Sequence, residues 1–302
     1  MGERSRSCSM QWMIEALKRI LPLDPQEEIA TLREVSGGDI GRSFVVETRK
    51  RKWFVKYRSD LPALVFQREA EGLALLREAG ALAVPETVHA GGIPGQAGGM
   101  IVLEWIESGP ASRSSEEALG RGLAELHLRR SPDGRFGLHS DNFIGLLPQP
   151  NGWCETWREF YAERRLLPML KLAEERGRMP SERRRRLMRL IESLERWVPA
   201  SSEPSLLHGD LWHGNWLASD RGEPYLIDPA VCYGDREYEM AFTELFGGFS
   251  SRFYAAYEEA YPLPSGYEER RPLYQLYYLL VHLILFGESY GSSVDRVLSR
   301  YL

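Results

Sequence analysis

The chain has 302 residues, of which 43% are hydrophobic and 27% are charged, and its formal net charge is -5. This length allows one large domain or two modest ones, and the composition excludes a disordered chain. The charge gives no reason to expect nucleic acid or an anionic membrane as a partner. The three cysteines, Cys8, Cys154 and Cys232, fit neither a disulfide framework nor zinc-ligand spacing, which favours a reduced, cytoplasmic setting.

The first third of the chain is rich in predicted strands. In chain order we expect a helix (11–21), a Gly-rich loop (36–43), a hairpin of two strands (44–48 and 53–57), a helix (66–78) and a strand (100–106). The two hairpin strands flank a basic turn. This pattern predicts a small antiparallel sheet with one long helix beside it.

Helices dominate from residue 114 onward. Ser114 or Ser115 is predicted to cap a helix that runs to His127, and further helices are expected at 157–175, from 180, and over most of the last ninety residues. The basic run 183–186 is interpreted as a solvated helix face. The apolar stretch 273–286 is too short and too polar to span a bilayer, and it predicts a buried helix.

The segment 206–215, Leu-Leu-His-Gly-Asp-Leu-Trp-His-Gly-Asn, is the most informative part of the chain. Asp210 precedes Asn215 by five residues, which is the spacing of a kinase catalytic loop, and Asp228 ends a later apolar run. We predict that Asp210 is the catalytic base and that Asn215 and Asp228 bind magnesium on a nucleotide. His208 is predicted to brace the loop. The spacing alone is a weak signal, because an isolated Asp or Asn is most often a turn former.

Lys56, at the end of an apolar strand, is either an edge-strand charge or the cation that binds nucleotide phosphates. A phosphate-binding lysine is held by a glutamate of the following helix. Glu69 lies on the apolar stripe of that helix, whereas Glu71 lies on its opposite face. A carboxylate on the apolar stripe needs a partner, so we predict a pair between Lys56 and Glu69.

Two backbone segments complete the predicted nucleotide site. The Gly-rich loop either brings N–H groups to the phosphates, with Gly38 and Gly41 allowing close approach, or is a plain hairpin turn. Residues 104–106 are predicted to offer hinge backbone to adenine, through Glu104 and Ile106.

Two interpretations remain open for each of three further features. Trp212 either packs in the core or offers a flat face to a sugar-like acceptor, and His213 beside it in the loop is a further candidate for contact with the acceptor. Asp141 and Asn142 form either a structural turn or part of an acceptor site. The charges at 233–237 either form a local salt-bridge network or line the substrate pocket.

A strand-rich part followed by a helical part predicts an α+β fold with two lobes, as in protein kinases. We expect a small antiparallel-sheet lobe over 1–106 with a hinge at its end. A mainly helical lobe that binds the acceptor would cover 107–302. Nucleotides bind well in such an inter-lobe cleft.

The chain resembles the fructosamine kinases, or ketosamine-3-kinases, within the aminoglycoside and choline kinase-like group. The segments that carry the resemblance are 54–56, 66–70, 141–145, 148–149, 208–215, 228–230 with 233–234, 247–249 and 274–276. H-G-D-L-W-x-G-N combined with D-P-A-x-x-Y-G is much more specific than either half. The resemblance covers nearly the whole chain.

The resemblance implies transfer of the γ-phosphoryl group of ATP, with Mg²⁺, to the 3-hydroxyl of a ketosamine. The acceptors would be small ketosamines or glycated protein lysines, and the role would be deglycation repair. The resemblance assigns the base, the metal ligands and the ATP-binding pair as above, and favours an acceptor role for Trp212. His213 stands where relatives often have Ser and Asp235 where they often have His, which could alter acceptor preference.

Two alternatives remain at this point. One is a kinase of an aminoglycoside or a choline-like alcohol. The other is a binding protein with a kinase fold and no activity. Retention of Lys56, Asp210, Asn215 and Asp228 argues against the second, because an inactive kinase often lacks at least one of them.

Overall fold

A computed structural model of the chain describes residues 3–36 and 42–302. Gly38 and Gly41 of the predicted phosphate loop lie outside the described residues. The chain divides into two compact units, Met1–Ala74 with Val84–Glu107 and Leu75–Ala83 with Ser108–Leu302. The last part of one helix therefore groups with the second unit.

The first unit is built on an antiparallel sheet. Its elements are α1 (Glu3–Ile20), β1 (Thr31–Val35), β2 (Arg42–Glu47), β3 (Lys52–Arg58), α2 (Ala63–Ala79, which continues into the second unit), β4 (Thr87–Gly91) and β5 (Gly99–Glu104). The strand order is β1-β2-β3-β5-β4, and β2 and β3 form the predicted hairpin.

One face of this sheet is covered by α1. Leu17 of α1 packs in one cluster with Phe44, Val55 and Val102 of the central strands. Each fully buried side chain of this kind contributes roughly 1.5–3 kcal/mol. Because side chains alternate along a strand, Lys56 projects from the face opposite to Val55.

The second unit is mainly helical. Its helices are α3 (Arg113–His127), α4 (Trp157–Phe160), α5 (Leu167–Glu175), α6 (Ser181–Glu192), α7 (Arg236–Leu245), α8 (Ser251–Ala260), α9 (Tyr267–Phe286) and α10 (Gly291–Tyr301). Its strands are β6 (Ser108–Gly109), β7 (Asn142–Ile144), β8 (Leu147–Gln149), β9 (Ser205–Leu207), β10 (Trp216–Ser219), β11 (Pro224–Leu226) and β12 (Cys232–Gly234). They pair as β7–β8, β9–β12 and β11–β10–β6. The predicted α+β class is confirmed.

The cap predicted for α3 is wrong by two or three residues. The N-cap is Ser112, whose hydroxyl accepts from the N–H of Ser115 at 3.1 Å, while the Ser115 hydroxyl accepts from the N–H of Ser112 at 2.8 Å. This reciprocal capping box satisfies two N–H groups that a cap at Ser114 or Ser115 would leave unpaired.

The helix predicted over 157–175 is present, but its middle is a π-helix. Residues Tyr161–Leu166 join α4 to α5 with π-helical hydrogen bonding. Such segments are rare and occur frequently at functional sites. This segment carries Arg165, whose side chain is fully buried.

The helix α9 is buried, as predicted, with Leu273, Tyr277 and Leu280 inaccessible to solvent. No helix within the described ranges is long and apolar enough to cross a membrane.

The prediction of a solvated face for the basic run holds for Arg184 and Arg185, which pair with glutamates at the surface. It is wrong for Arg183, which is buried and binds both Glu288 and Asp295. A buried arginine with two carboxylates joins α6 to the C-terminal end of the chain.

Candidate functional site

His208 links the loop of Asp210 to the segment of Asp228. Its Nδ1 accepts from the N–H of Asp210 at 3.1 Å, so the ring proton is on Nε2, which donates to the carbonyl oxygen of Ile227 at 2.7 Å. Burial lowers the pKa of His208, which keeps the ring neutral in this tautomer. The bracing contacts predicted for this histidine are present.

The backbones of the two segments are also joined directly. The N–H of Ile227 donates to the carbonyl of Asn215 at 3.0 Å, and the N–H of Ala230 donates to the carbonyl of His208 at 2.9 Å. The N–H and the carbonyl of Ile227, the residue before Asp228, are therefore both hydrogen-bonded to the loop. This arrangement fixes Asp210, Asn215 and Asp228 as one group.

Gly209 is required by this close approach. Its φ is +90°, and a Cβ there would lie 1.8 Å from the carbonyl oxygen of Ala230. Any side chain would therefore push the Asp210 loop away from the Asp228 segment.

Glu239 of α7 anchors the loop from beneath. It is buried, and its carboxylate accepts from the N–H of Gly209 at 2.7 Å and of His208 at 3.1 Å. His127 Nε2 lies 2.7 Å from the same carboxylate. Burial alone would raise the pKa of Glu239, but these hydrogen bonds outweigh it and hold the pKa below its ordinary value.

A chain of hydrogen bonds, in which each group donates to the next, leads from Arg236 to Glu239. Arg236 can only donate, and it donates to the Tyr257 hydroxyl at 3.1 Å. The Tyr257 proton therefore points to His127 Nδ1, 2.7 Å away, and the proton of His127 is on Nε2, toward Glu239. The chain ends on the loop that carries Asp210.

Asp210 combines burial with a like charge nearby. Burial raises the pKa of its carboxyl group well above the ordinary value, and the charge of Asp228 raises it further. Two carboxylates that repel each other form a site that a cation would stabilise. A carboxyl group with a raised pKa is also suited to proton transfer near neutral pH.

Asn215 and Asp228 offer the oxygen donors that Mg²⁺ prefers. The Asn215 amide nitrogen donates to the carbonyl of Asp210 at 2.8 Å, and no hydrogen bond within the described chain occupies its amide oxygen. Residues 3–36 and 42–302 contain no group of three or more His, Cys, Asp or Glu side chains arranged for a metal. Two protein oxygens suit a magnesium ion that nucleotide phosphates help to hold.

Asp228 has an unusual backbone. Its φ is +51°, and it is the one non-glycine residue in the left-handed region among those the structure describes. Such a conformation costs about 1–3 kcal/mol and persists when its surroundings hold it.

Trp212 and His213 lie on the outer side of the loop. Trp212 is half-buried and His213 is exposed. The indole covers Gly214 so closely that a Cβ there would lie 2.2 Å from the ring. The half-buried indole therefore combines packing with an accessible edge.

In the first unit, Lys56 forms an ion pair with Glu69 of α2, and both side chains are about 15% exposed. Glu71 instead pairs with Arg68 and is 42% exposed. The prediction that Glu69, and not Glu71, pairs with Lys56 agrees with these contacts.

The predicted hinge strand ends at Glu104, so Ile106 lies beyond it. The N–H of Glu104 donates to the carbonyl of Glu86, and its carboxylate accepts from the N–H of Glu86, both at 2.9 Å. The Glu104 side chain thus fixes the end of β5.

Asp141 and Asn142 have structural partners. The Asp141 carboxylate accepts from the N–H of Asn151 at 2.8 Å. Asn142 is buried and donates to the carbonyl of Val231 at 2.9 Å. Of the two interpretations, the contacts favour the structural one, with Asn142 fixed on the segment after Asp228.

The charges after Asp228 form a local network. Asp235 caps α7 by accepting from the N–H of Glu237 at 2.8 Å, and Glu237 pairs with Arg270. Burial raises the pKa of Glu237 to about 7, and the charge of Asp235 adds to this effect. The salt-bridge interpretation of 233–237 is therefore the one that the contacts support.

Glu239, His127 and Tyr257 were not identified from the sequence. The signal for Glu239 is a single carboxylate inside the apolar run 238–242, because a buried carboxylate requires partners. Nothing local in the sequence identifies Tyr257, which is 130 residues from His127.

Comparison with known proteins gives a consistent result. The sequence profile described as fructosamine kinase matches residues 13–302. A probable ketoamine kinase of Lactiplantibacillus plantarum is 42% identical over 92% of this chain and 96% of its own. The chloroplastic protein-ribulosamine 3-kinase of Oryza sativa subsp. japonica is 38% identical over 91% of this chain and 80% of its own.

Solved structures are similar as well. A putative fructosamine-3-kinase of Haemophilus somnus 129PT has a TM-score of 0.84 at 29% identity, covering 96% of both chains. Choline kinase LicA of Streptococcus pneumoniae, at 16% identity, has a TM-score of 0.63 over 97% of this chain and 99% of its own. The second likeness concerns the fold alone, which is kinase-like.

Proposed function

Because the chain belongs to the fructosamine kinase family, we propose that Asp210 activates the 3-hydroxyl of a ketosamine for phosphorylation by ATP. The protein is a ketosamine kinase, a phosphotransferase with a hydroxyl acceptor. One observation carries the assignment to this loop. Asp210, Asn215 and Asp228 are fixed as one group by His208 and by the backbone of Ile227.

In the proposed reaction, the Asp210 carboxylate accepts a hydrogen bond from the acceptor hydroxyl and takes its proton. The hydroxyl oxygen forms a bond to the γ-phosphorus as the bond to the ADP oxygen breaks. Lys56, held by Glu69, binds the nucleotide phosphates. Asn215 and Asp228 would hold Mg²⁺, which when bound offsets the phosphate charge.

We assign the acceptor side to Trp212 and His213, because both are accessible beside Asp210. An indole offers a flat apolar face to the C–H groups of a sugar. Glycated lysines of proteins and free ketosamines both carry the required group. The proposed role is removal of such adducts in the cytoplasm, consistent with the unpaired thiols of Cys154 and Cys232.

The test measures ADP release with ATP and Mg²⁺ on fructosyl-lysine, ribulosyl-lysine, an aminoglycoside and choline. Phosphorus NMR of the product locates the new phosphate. We expect turnover on a ketosamine, with phosphate on the 3-hydroxyl. Turnover on the aminoglycoside or choline alone would contradict the proposed acceptor, and failure of all four would contradict the function.

A further inference from the structure

Arg165 is a buried charge without an acidic partner. Its side chain is 0% exposed, and among the described residues no carboxylate forms an ion pair with it. Arginine stays protonated in proteins, and an isolated buried charge is very costly. A side chain of this kind requires an explanation.

The two terminal nitrogens of the guanidinium have oxygen acceptors and aromatic rings lie beside the group, whereas its buried Nε has no hydrogen-bond partner among the described residues. It donates to the carbonyls of Pro150 and Arg164 at 2.6 and 2.8 Å, and to the amide oxygen of Asn151 at 2.8 Å. It lies over the rings of Phe160 and Tyr277, 4.6 and 5.6 Å from their centroids. The π-helical segment Tyr161–Leu166 places it there.

Because Arg165 can only donate, it fixes the orientation of the next amides. Asn151 must present its oxygen to Arg165, so its nitrogen donates to the Asn142 oxygen at 2.9 Å. The Asn142 nitrogen then donates to the carbonyl of Val231 at 2.9 Å. This first chain runs from a buried charge to a backbone oxygen three residues after Asp228.

A second chain ends one residue earlier. The Tyr277 hydroxyl donates to the Gln149 oxygen at 2.7 Å, and the Gln149 nitrogen donates to the carbonyl of Ala230 at 3.2 Å. Gln149 also donates to the Asn142 oxygen at 2.9 Å, which joins the two chains. Every amide in this network therefore has one orientation.

We propose that Arg165, acting through Asn151, Asn142 and Gln149, positions the Asp228 carboxylate for magnesium and nucleotide. The carbonyls that the network holds belong to Ala230 and Val231, directly after Asp228-Pro229. Asp228 has a left-handed backbone, which persists when neighbouring groups hold it. These four are positioning residues, since none is assigned a contact with a reacting atom.

This inference rests on the proposed role of Asp228 in metal binding but not on the identity of the acceptor. The test therefore measures ADP affinity by calorimetry, once with Mg²⁺ and once with EDTA, without any ketosamine. Asp228→Ala serves as the reference, because it should remove the gain in ADP affinity that Mg²⁺ gives the wild type.

Two variants interrupt the network. Gln149→Met removes the donor and the acceptor at similar length. Asn151→Asp keeps an acceptor for Arg165 but removes the donor to Asn142. In both variants we expect the gain in ADP affinity that Mg²⁺ gives to fall at least fivefold. The ADP affinity in EDTA should stay within twofold of wild type.

The matched control is Gln275→Met, which removes an amide that donates to the carbonyl of Ala241 at 2.9 Å, away from the network. It should keep the full gain from Mg²⁺. A full gain in a folded Gln149→Met or Asn151→Asp variant would overturn the proposal. Loss of the fold in both would overturn it too, because the network would then be structural.

The two proposals fail separately. A wild-type protein that binds ADP more tightly with Mg²⁺ but phosphorylates no ketosamine contradicts only the acceptor assignment. A gain from Mg²⁺ that survives in Asp228→Ala contradicts the metal assignment on which this inference rests.

Discussion

The ring of His208 donates from Nε2 to the carbonyl oxygen of Ile227 at 2.7 Å. Together with the bond from the N–H of Ile227 to the carbonyl of Asn215, it ties the Asp210 loop to the residue before Asp228. Kinase chemistry depends mainly on positioning and charge stabilisation, so we expect residues that fix the two aspartates relative to each other to contribute to turnover.

The pair between Lys56 and Glu69 should support nucleotide binding. Glu69→Gln removes the charge that holds Lys56, and we expect the KM for ATP to rise roughly tenfold. Steady-state kinetics at varied ATP checks this. Glu71→Gln, on the same helix but paired with Arg68, is the control and should change the KM less than twofold. Equal effects of both changes would refute the assigned role of Glu69.

The donor chain from Arg236 through Tyr257 and His127 to Glu239 should govern turnover. Tyr257→Phe removes one link and should lower kcat roughly five- to tenfold, with little change in the KM for ATP, because the loop of Asp210 loses its fixed position. Tyr254→Phe is the control on the same helix, since its hydroxyl bonds only to Thr243 among the described side chains.

His127 provides a second test of the same chain. In His127→Gln the amide nitrogen reaches the position of Nε2, whereas in His127→Asn the amide reaches only that of Nδ1. The His127→Gln variant should therefore keep the hydrogen bond to Glu239 and most of the wild-type kcat. The His127→Asn variant should lose both. Equal kcat values for the two variants would show that the bond to Glu239 does not matter.

Asp210 should reduce stability at neutral pH. Its folded-state pKa is raised by burial and by Asp228, so the folded state binds its proton more tightly than the unfolded state. The stability that this tighter proton binding gives is present at low pH and is lost as pH rises from about 4 through the folded pKa. Asp210→Asn should be more stable than wild type at pH 7.5, and the difference should shrink toward pH 4.5. Urea unfolding at both values checks this, and a difference that is independent of pH would contradict it.

Trp212 should affect the acceptor and not the nucleotide. Trp212→Ala is expected to raise the KM for a ketosamine roughly fivefold, if an indole–sugar contact is comparable to the about 0.5–1.5 kcal/mol that pairs of aromatic rings contribute. Gly214→Ala, which displaces the ring without removing it, should act in the same direction. An unchanged acceptor KM in both variants would leave the indole with a packing role only.

Local chemistry made much of this site predictable. Helical periodicity was sufficient to select Glu69 over Glu71, and motif spacing brought Asp210, Asn215 and Asp228 into one hypothesis. The hairpin of β2 and β3 followed from alternation and its basic turn. These inferences depend on residues near each other in sequence.

The supporting residues could not be predicted in the same way. The orientation of Arg165 depends on Pro150 and Asn151, which follow β8, and on Tyr277 of α9, and no local pattern in the sequence brings these partners together. The cap of α3 was misplaced because residues 112, 114 and 115 are all serines, and only the backbone decides among them. Asn142 remained ambiguous because its amide nitrogen donates to a backbone carbonyl, which leaves no trace in residue types.

The most direct test of the account is the kcat of Asp210→Asn on a ketosamine, measured together with its affinity for ADP and Mg²⁺. Asparagine keeps the shape of the side chain but cannot take the acceptor proton. We predict a fall in kcat of about 10²–10⁴-fold with ADP affinity nearly unchanged. Turnover close to that of the wild type would contradict the assignment of Asp210 as the base.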